Sequence, residues 1–127
     1  MIAAEDGIPV GVRDFILDHI GSIAQLEALL LLRANPGECW DAASIAKRLY
    51  MSERDVEPLL AQLCAARLFS FAQDTYRYAP EPEEKRLVVD RVAVVYARQL
   101  IPVTNMIHAK QRRIREFADA FRLRRDR

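Results

Sequence analysis

The sequence has few of the residue types that build most catalytic and metal sites. Its 127 residues include two His and two Cys, and Cys39 and Cys64 form no CxxC pair and no Cys/His cluster. Zinc sites need several ligands at short, regular spacings, so we predict no metal site. The four Gly residues form no phosphate-binding loop, and no Ser lies beside an obvious base. We therefore expect no enzyme, no cofactor and two reduced thiols.

Long hydrophobic runs are also missing. The apolar run of residues 28–32 is ended by Arg33, whereas a membrane-spanning helix needs about 20 apolar residues. The opening residues, MIAAEDGIPV, carry acids and no basic segment, which is not the pattern of a secretory signal. We expect no membrane span and a cytoplasmic location.

The charge is nearly balanced overall but unevenly distributed. With 51% hydrophobic and 29% charged residues, the chain has the composition of a globular protein. Its length suits one domain, or one domain with an extension. Residues 1–80 hold seven basic and eleven acidic side chains, whereas residues 110–127 hold eight basic and three acidic ones. Excess positive charge is therefore confined to the C-terminal tail, which disfavours a simple DNA-reading head.

The most informative stretch is residues 41–69, DAASIAKRLYMSERDVEPLLAQLCAARLF. Asp41 and Ser52 are residues that accept hydrogen bonds from the first turn of a helix, and each precedes an apolar stripe at helical spacing. The stripes contain Ala42, Ile45, Ala46 and Leu49 in the first helix, and Val56, Leu59, Leu60 and Leu63 in the second. Two short helices joined by a tight turn make a helix-turn-helix.

The segment SIAKRLYMSERDVEPLLAQLCAARLF, followed by FSFAQDTYRY, resembles the winged helix-turn-helix regulators, a group that includes MarR-, ArsR- and PadR-type repressors. The resemblance covers roughly residues 22–80. It implies a mainly α fold with a small β-hairpin wing, and a homodimer that binds DNA. Because winged helices also serve as protein-binding modules, the resemblance is more specific for fold than for function.

The other elements of the head follow from local patterns. We predict a flexible arm over residues 1–11, a short helix over 12–20, and an apolar central helix that Ser22 caps at its start. Residues 38–40 suit a short edge strand, with Trp40 packed as a core residue. Alternating residues predict strands over 68–72 and 75–79, with a tip at Gln73 and Asp74. We assign residues 12–80 to the winged helix-turn-helix domain.

Residues 81–127 are predicted to be a helical dimerisation extension with a basic tail. Apolar residues recur every seven positions in two offset series, which is typical of a coiled coil. Pro102 predicts a kink, or two helices joined near residues 99–102. The predicted dimerisation residues are Val89, Ala93, Tyr96, Leu100, Val103, Ile107, Ile114, Phe117 and Phe121.

The tail, KQRRIREFADAFRLRRDR, has three interpretations. Its basic residues form the solvated face of a dimer helix, which we favour, or contact nucleic acid through charge, or lie on an anionic membrane surface.

In winged-helix regulators the second helix of the motif enters the major groove. On that helix, Arg54, Gln62 and Ser52 are the candidates to face bases. The candidates to face phosphates are Lys47 and Arg48 on the first helix and Arg77 in the wing. Glu53, Asp55 and Glu57 would repel phosphate. Pro58 suggests that regular helix begins near Asp55, which would place the proline in the first turn.

Two functions stay open. The first is a homodimeric DNA-binding transcriptional regulator whose partner is double-stranded DNA. The alternative is a winged-helix module that binds another protein and reads no DNA sequence.

Overall fold

The structure of the protein is a computed structural model, and it describes residues 7–125. The chain forms four helices, a hairpin and two further helices in this order: α1 (Val10–His19), α2 (Ile23–Ala34), α3 (Ala42–Arg48), α4 (Glu53–Ala65), β1 (Phe69–Ala72), β2 (Thr75–Tyr78), α5 (Glu84–Arg98) and α6 (Leu100–Arg125).

Three helices begin where the sequence places a capping side chain. The Ser22 hydroxyl accepts a hydrogen bond from the Gln25 amide at 3.1 Å, and the Ser52 hydroxyl accepts one from the Asp55 amide at 3.1 Å. The Asp41 carboxylate accepts from the Ser44 amide at 2.7 Å, and this bond lowers the pKa of Asp41. Each cap provides a partner for one of the amides that an α-helix leaves unpaired at its start.

The folded part of the chain begins earlier than predicted. Residues 1–6 of the predicted flexible arm lie outside the described residues. Ile8 is completely buried and α1 begins at Val10, two residues before the predicted boundary. Residues from Ile8 onward therefore belong to the packed structure.

The core is a single hydrophobic cluster around α2, as the apolar character of that helix predicts. Leu26, Ala28, Leu29 and Leu32 of α2 are fully buried. Side chains from α1, α3, α4, the hairpin, α5 and α6 pack into the same cluster. The predicted head and the predicted extension therefore share one core.

The hairpin matches the predicted wing. β1 and β2 pair antiparallel, with Phe69 opposite Tyr78 and Phe71 opposite Tyr76. Gln73 and Asp74 both have positive φ, as two-residue hairpin turns require. Trp40 adds the predicted short edge pairing, because its amide and carbonyl both bond to Tyr76, at 2.9 and 2.7 Å.

The C-terminal part is two helices that meet at Gln99, within the predicted break. Pro102 is the third residue of α6. Its missing N–H costs little there, because amides in the first turn of a helix have no partner within the helix.

The junction between α1 and α2 is attached to α6 by polar contacts. The Lys110 ammonium donates to the carbonyls of Leu17 and Ile20 at 2.5 and 3.0 Å, and the Gln111 amide donates to the Gly21 carbonyl at 3.0 Å. Burial lowers the pKa of Lys110, and the neighbouring Asp18 opposes this shift. α6 is therefore anchored to the head as far as residue 111.

Candidate nucleic-acid interface

Helices α3 and α4 form a helix-turn-helix whose inner faces are apolar. Ile45 and Ala46 of α3 are buried, as are Val56, Leu60 and Leu63 of α4, and these are residues of the predicted stripes. The turn is closed by the Tyr50 amide on the Lys47 carbonyl and the Met51 amide on the Ala46 carbonyl. Packing of these stripes leaves the opposite side of α4 free to meet a partner.

The outer side of α4 is exposed but carries more negative than positive charge. Its exposed residues include Glu53, Arg54, Asp55 and Glu57. Glu53 and Asp55 stand in the first turn, where the helix dipole favours acids, so they have a structural reason to be there. They still repel phosphate, and Arg54 must act from within this acidic group.

One detail of α4 was predicted wrongly. The helix begins at Glu53 and not near Asp55, so Pro58 lies inside it and not in its first turn. Pro58 has no N–H to donate to the Arg54 carbonyl. Pro58 is exposed, so this side of the helix faces water, which can supply the missing donor.

The two basic candidates on α3 stand at its C-terminal end. Lys47 and Arg48 are both exposed, and cations are favoured at this end by the helix dipole. The Arg48 guanidinium lies 5.5 Å from the centre of the Trp40 ring, which is cation–π distance. Stacking on an aromatic ring leaves the N–H groups at the guanidinium edge available to a phosphate.

Two of the base-facing candidates already have hydrogen-bond partners within the chain. Ser52 caps α4 through its oxygen. The side-chain oxygen of Gln62 accepts a hydrogen bond from the side-chain nitrogen of the buried Gln25 at 2.8 Å. Reading adenine with an amide side chain requires both the oxygen and the nitrogen. Gln62 therefore keeps only its N–H donors for a base while this contact exists.

Arg77 lies on the side of the hairpin opposite to the aromatic pair formed by Phe71 and Tyr76. It alternates along β2 with Tyr76 and Tyr78, so its side chain projects from the opposite face. It lines a cleft with Pro36, Glu83 and Arg86. Arg77 is exposed, so its guanidinium is available to a phosphate on this side of the wing.

Aromatic residues cover the face of the wing that is turned toward α4. Phe71 is 53% exposed, and its ring centre lies 4.6 Å from that of Tyr76. Burial raises the pKa of Tyr76, with smaller contributions from Cys64 and Glu57 of α4. Burial likewise raises the pKa of the Cys64 thiol, so the thiolate is disfavoured. The wing and α4 thus border a surface that is both aromatic and acidic.

The nine predicted dimerisation residues divide into three groups. Val89, Val103 and Ile107 are completely buried within the single chain, so they offer no surface to a second one. Ala93 and Tyr96 are partly buried, and the Tyr96 hydroxyl donates to Glu27 at 2.8 Å. The exposed group comprises Leu100, Ile114, Phe117 and Phe121.

The described residues contain no cluster of three or more His, Cys, Asp or Glu side chains that could hold a metal ion. Across the same residues, no single helix has the length and hydropathy to span a membrane. Helices α1 and α2 meet that criterion only as a pair, with a bend of 110° between them.

Comparisons with known proteins address the fold. No protein-family model and no curated protein matches the sequence. Among solved structures, the chain is similar to a MarR family protein of Mycobacterium tuberculosis, with a TM-score of 0.55 and 14% sequence identity, over 87% of this chain and 82% of that one. The fold is a winged helix-turn-helix. The predicted class, mainly α with a small β-hairpin wing, is confirmed.

Sequence reasoning missed three residues of this winged helix. Gln25 links α2 to α4, Lys110 links α6 to α1, and Tyr50 stands exposed in the turn of the motif. Gln25 follows Ser22 by three residues, a capping-box spacing that could have singled it out. Lys110 is a polar residue at an otherwise apolar position of the seven-residue repeat, but the sequence does not identify its partners, which lie some 90 residues earlier in the chain.

Proposed function

We propose that the protein is a homodimeric transcriptional regulator that binds double-stranded DNA through α3 and α4. The observation that carries the proposal is the extent of the structural likeness. It covers 87% of the chain, which is more than the head alone, and the similar protein belongs to the MarR family of regulators. Because one fold can serve several functions, binding to duplex DNA is the measurement that decides this one.

In this proposal Arg54 contacts a base and Lys47 and Arg48 contact phosphates. Arg54 is exposed in the first turn of α4, the end that enters the major groove in helix-turn-helix proteins. The pair on α3 is exposed at the adjoining helix end. Gln62 and Ser52 contribute less, because their oxygens are bonded within the chain.

Binding to duplex DNA tests the assignment of Arg54. A guanine contact is worth about 1–3 kcal/mol, so Arg54→Ala should weaken binding to a preferred duplex, selected from a DNA library, by roughly 5- to 150-fold. Arg91→Ala is the matched control, because it removes an exposed arginine from α5. Equal affinities for Arg54→Ala and Arg91→Ala would refute base reading by Arg54.

The dimer in this proposal forms through the outer half of α6. Ile114, Phe117 and Phe121 are 57%, 69% and 55% exposed, and they recur at helical spacing on one side of the helix. Burying a large apolar side chain yields about 1.5–3 kcal/mol, so covering three of them against a second copy is a substantial gain. Charges flank this stripe, as they flank the seam of a coiled coil.

Phe117→Asp tests the dimer. The variant should shift the molar mass measured by light scattering from two chains toward one, since a carboxylate cannot be buried unpaired at low cost. Leu87→Asp, at an exposed apolar position of α5, is the matched control. A wild-type chain that is monomeric at all concentrations would contradict the proposal.

A protein partner is the second candidate function, and it rests on the surface between α4 and the wing. Glu57 of α4 lies close enough to Tyr76 to interact with it electrostatically, the Tyr76 ring contacts that of Phe71, and Glu53 and Asp55 are exposed on the same helix as Glu57. Acids beside exposed aromatic rings suit a basic, apolar protein segment better than they suit phosphate. Stoichiometric capture of one protein that Phe71→Ala abolishes, with no affinity for duplex DNA, would favour this function.

A further inference from the structure

Tyr50, in the turn between α3 and α4, combines two features that are unfavourable for a tyrosine. Its φ is 57°, in the left-handed region where a Cβ atom clashes with the backbone. Its side chain is 97% exposed and has no hydrogen-bond partner among the described residues. Glycine or asparagine would form the same turn at lower cost, so the fold itself gives no reason for a tyrosine here.

The position of Tyr50 is set by the helix-turn-helix. Its amide donates to the Lys47 carbonyl at 3.3 Å, and the next amide, of Met51, donates to the Ala46 carbonyl at 3.0 Å. Ser52, the cap of α4, follows two residues later. The phenol is therefore carried by an ordered turn between the exposed basic end of α3 and the first turn of α4.

We propose that the Tyr50 hydroxyl donates a hydrogen bond to a backbone phosphate of duplex DNA. The inference rests on the proposed function, because it assumes that α3 and α4 meet DNA. Tyrosine hydroxyls are among the groups that bond phosphate oxygens and thereby orient a protein on the duplex. Such a contact is independent of base sequence and would fix how α4 enters the groove.

The acidic first turn of α4, on one side of Tyr50, gives a reason for a phenol at this position. Glu53 and Asp55, in the first turn of α4, follow Tyr50 by three and five residues and are both exposed. An arginine or lysine at position 50 could pair with these carboxylates and lose part of its attraction for phosphate. A neutral hydroxyl forms no ion pair with them, so it remains available as a donor.

The test measures binding of the full chain to random-sequence duplex DNA by fluorescence anisotropy over a range of salt concentrations. Tyr50→Phe removes only the hydroxyl, and Tyr50→Gly removes the side chain and the backbone strain. Both should weaken binding about tenfold, which corresponds to about 1.4 kcal/mol. The salt slope should stay unchanged, since no charge is lost, whereas Arg54→Ala should reduce it if Arg54 also lies near phosphate.

Thermal unfolding separates a contact from a structural effect. Tyr50→Gly should raise the melting temperature by about 2–4 °C through relief of the left-handed strain, while Tyr50→Phe should leave it unchanged. Weaker binding by a more stable variant cannot be due to loss of fold.

If Tyr50→Phe binds like the wild type, the inference is overturned, whatever Tyr50→Gly does. If the wild-type chain itself fails to bind duplex DNA, the proposed function fails, and the inference fails with it. The two failures are distinguishable because the second is seen before any variant is compared.

Discussion

Replacing Gln25 should be among the most damaging single changes at a polar residue of this chain. Gln25 is completely buried. Its side-chain oxygen accepts from the Gly21 amide at 2.6 Å, and its side-chain nitrogen donates to the Leu59 carbonyl at 3.3 Å and to the Gln62 oxygen at 2.8 Å. One side chain thus connects the start of α2 to two successive turns of α4.

The magnitude follows from what Gln25→Met leaves behind. Methionine has a similar length but makes none of the three bonds, so the Gly21 amide and the Leu59 carbonyl lose a partner. Leaving a buried polar group unpaired costs about 1–3 kcal/mol, whereas losing an exposed bond costs about 0.5–1.5 kcal/mol. We expect Gln25→Met to lower the free energy of unfolding by about 2–4 kcal/mol, and Gln62→Ala by about 1 kcal/mol.

The assay is urea unfolding followed by circular dichroism, at one fixed protein concentration because dimer stability depends on concentration. A double-mutant cycle of Gln25→Met and Gln62→Ala should show a coupling of about 0.5–1.5 kcal/mol, as expected for residues in contact. A Gln25→Met variant within about 0.5 kcal/mol of the wild type would refute the reasoning, since surface changes have effects of that size.

Three further predictions concern other polar contacts. Lys110→Met should lower the free energy of unfolding by about 1–3 kcal/mol, measured by the same assay, because it leaves carbonyls at the end of α1 without their donor. Burial and the bond to Glu27 raise the pKa of Tyr96 to about 12. The stability contributed by Tyr96 should therefore be complete below pH 10 and be lost as pH rises through 12. In an ultraviolet titration, Tyr96→Phe should lack the phenol ionisation near pH 12 that the wild type shows. The lowered pKa of Asp41 means that its cap stabilises the fold above the ordinary pKa of 3.8 and is lost as pH falls through the lowered value. Asp41→Asn should abolish this acid dependence and retain the cap, and Asp41→Ala should lose both, as followed by unfolding at a series of pH values.

Features that depend on neighbouring residues could be predicted from the sequence. The caps at Ser22, Asp41 and Ser52 are confirmed, and so are the two-residue tip of the wing and the break between α5 and α6. Each of these is decided by contacts within about four residues, so a local pattern contains the information it needs. The start of α4 is the exception, because the cap at Ser52 determined it despite the unfavourable position of Pro58.

What covers each face was decided only by the tertiary structure. A seven-residue repeat shows which residues share one side of a helix, but it does not show where the neighbouring helix ends. Val103 and Ile107 lie against the rest of the core, and Phe117 and Phe121 extend beyond it, although all four belong to the same predicted seam. The hydrogen bond between the side chains of Gln25 and Gln62 likewise joins residues 37 positions apart in the sequence. Burial is a property of the packed chain, because it depends on residues that are distant in sequence and adjacent only after folding.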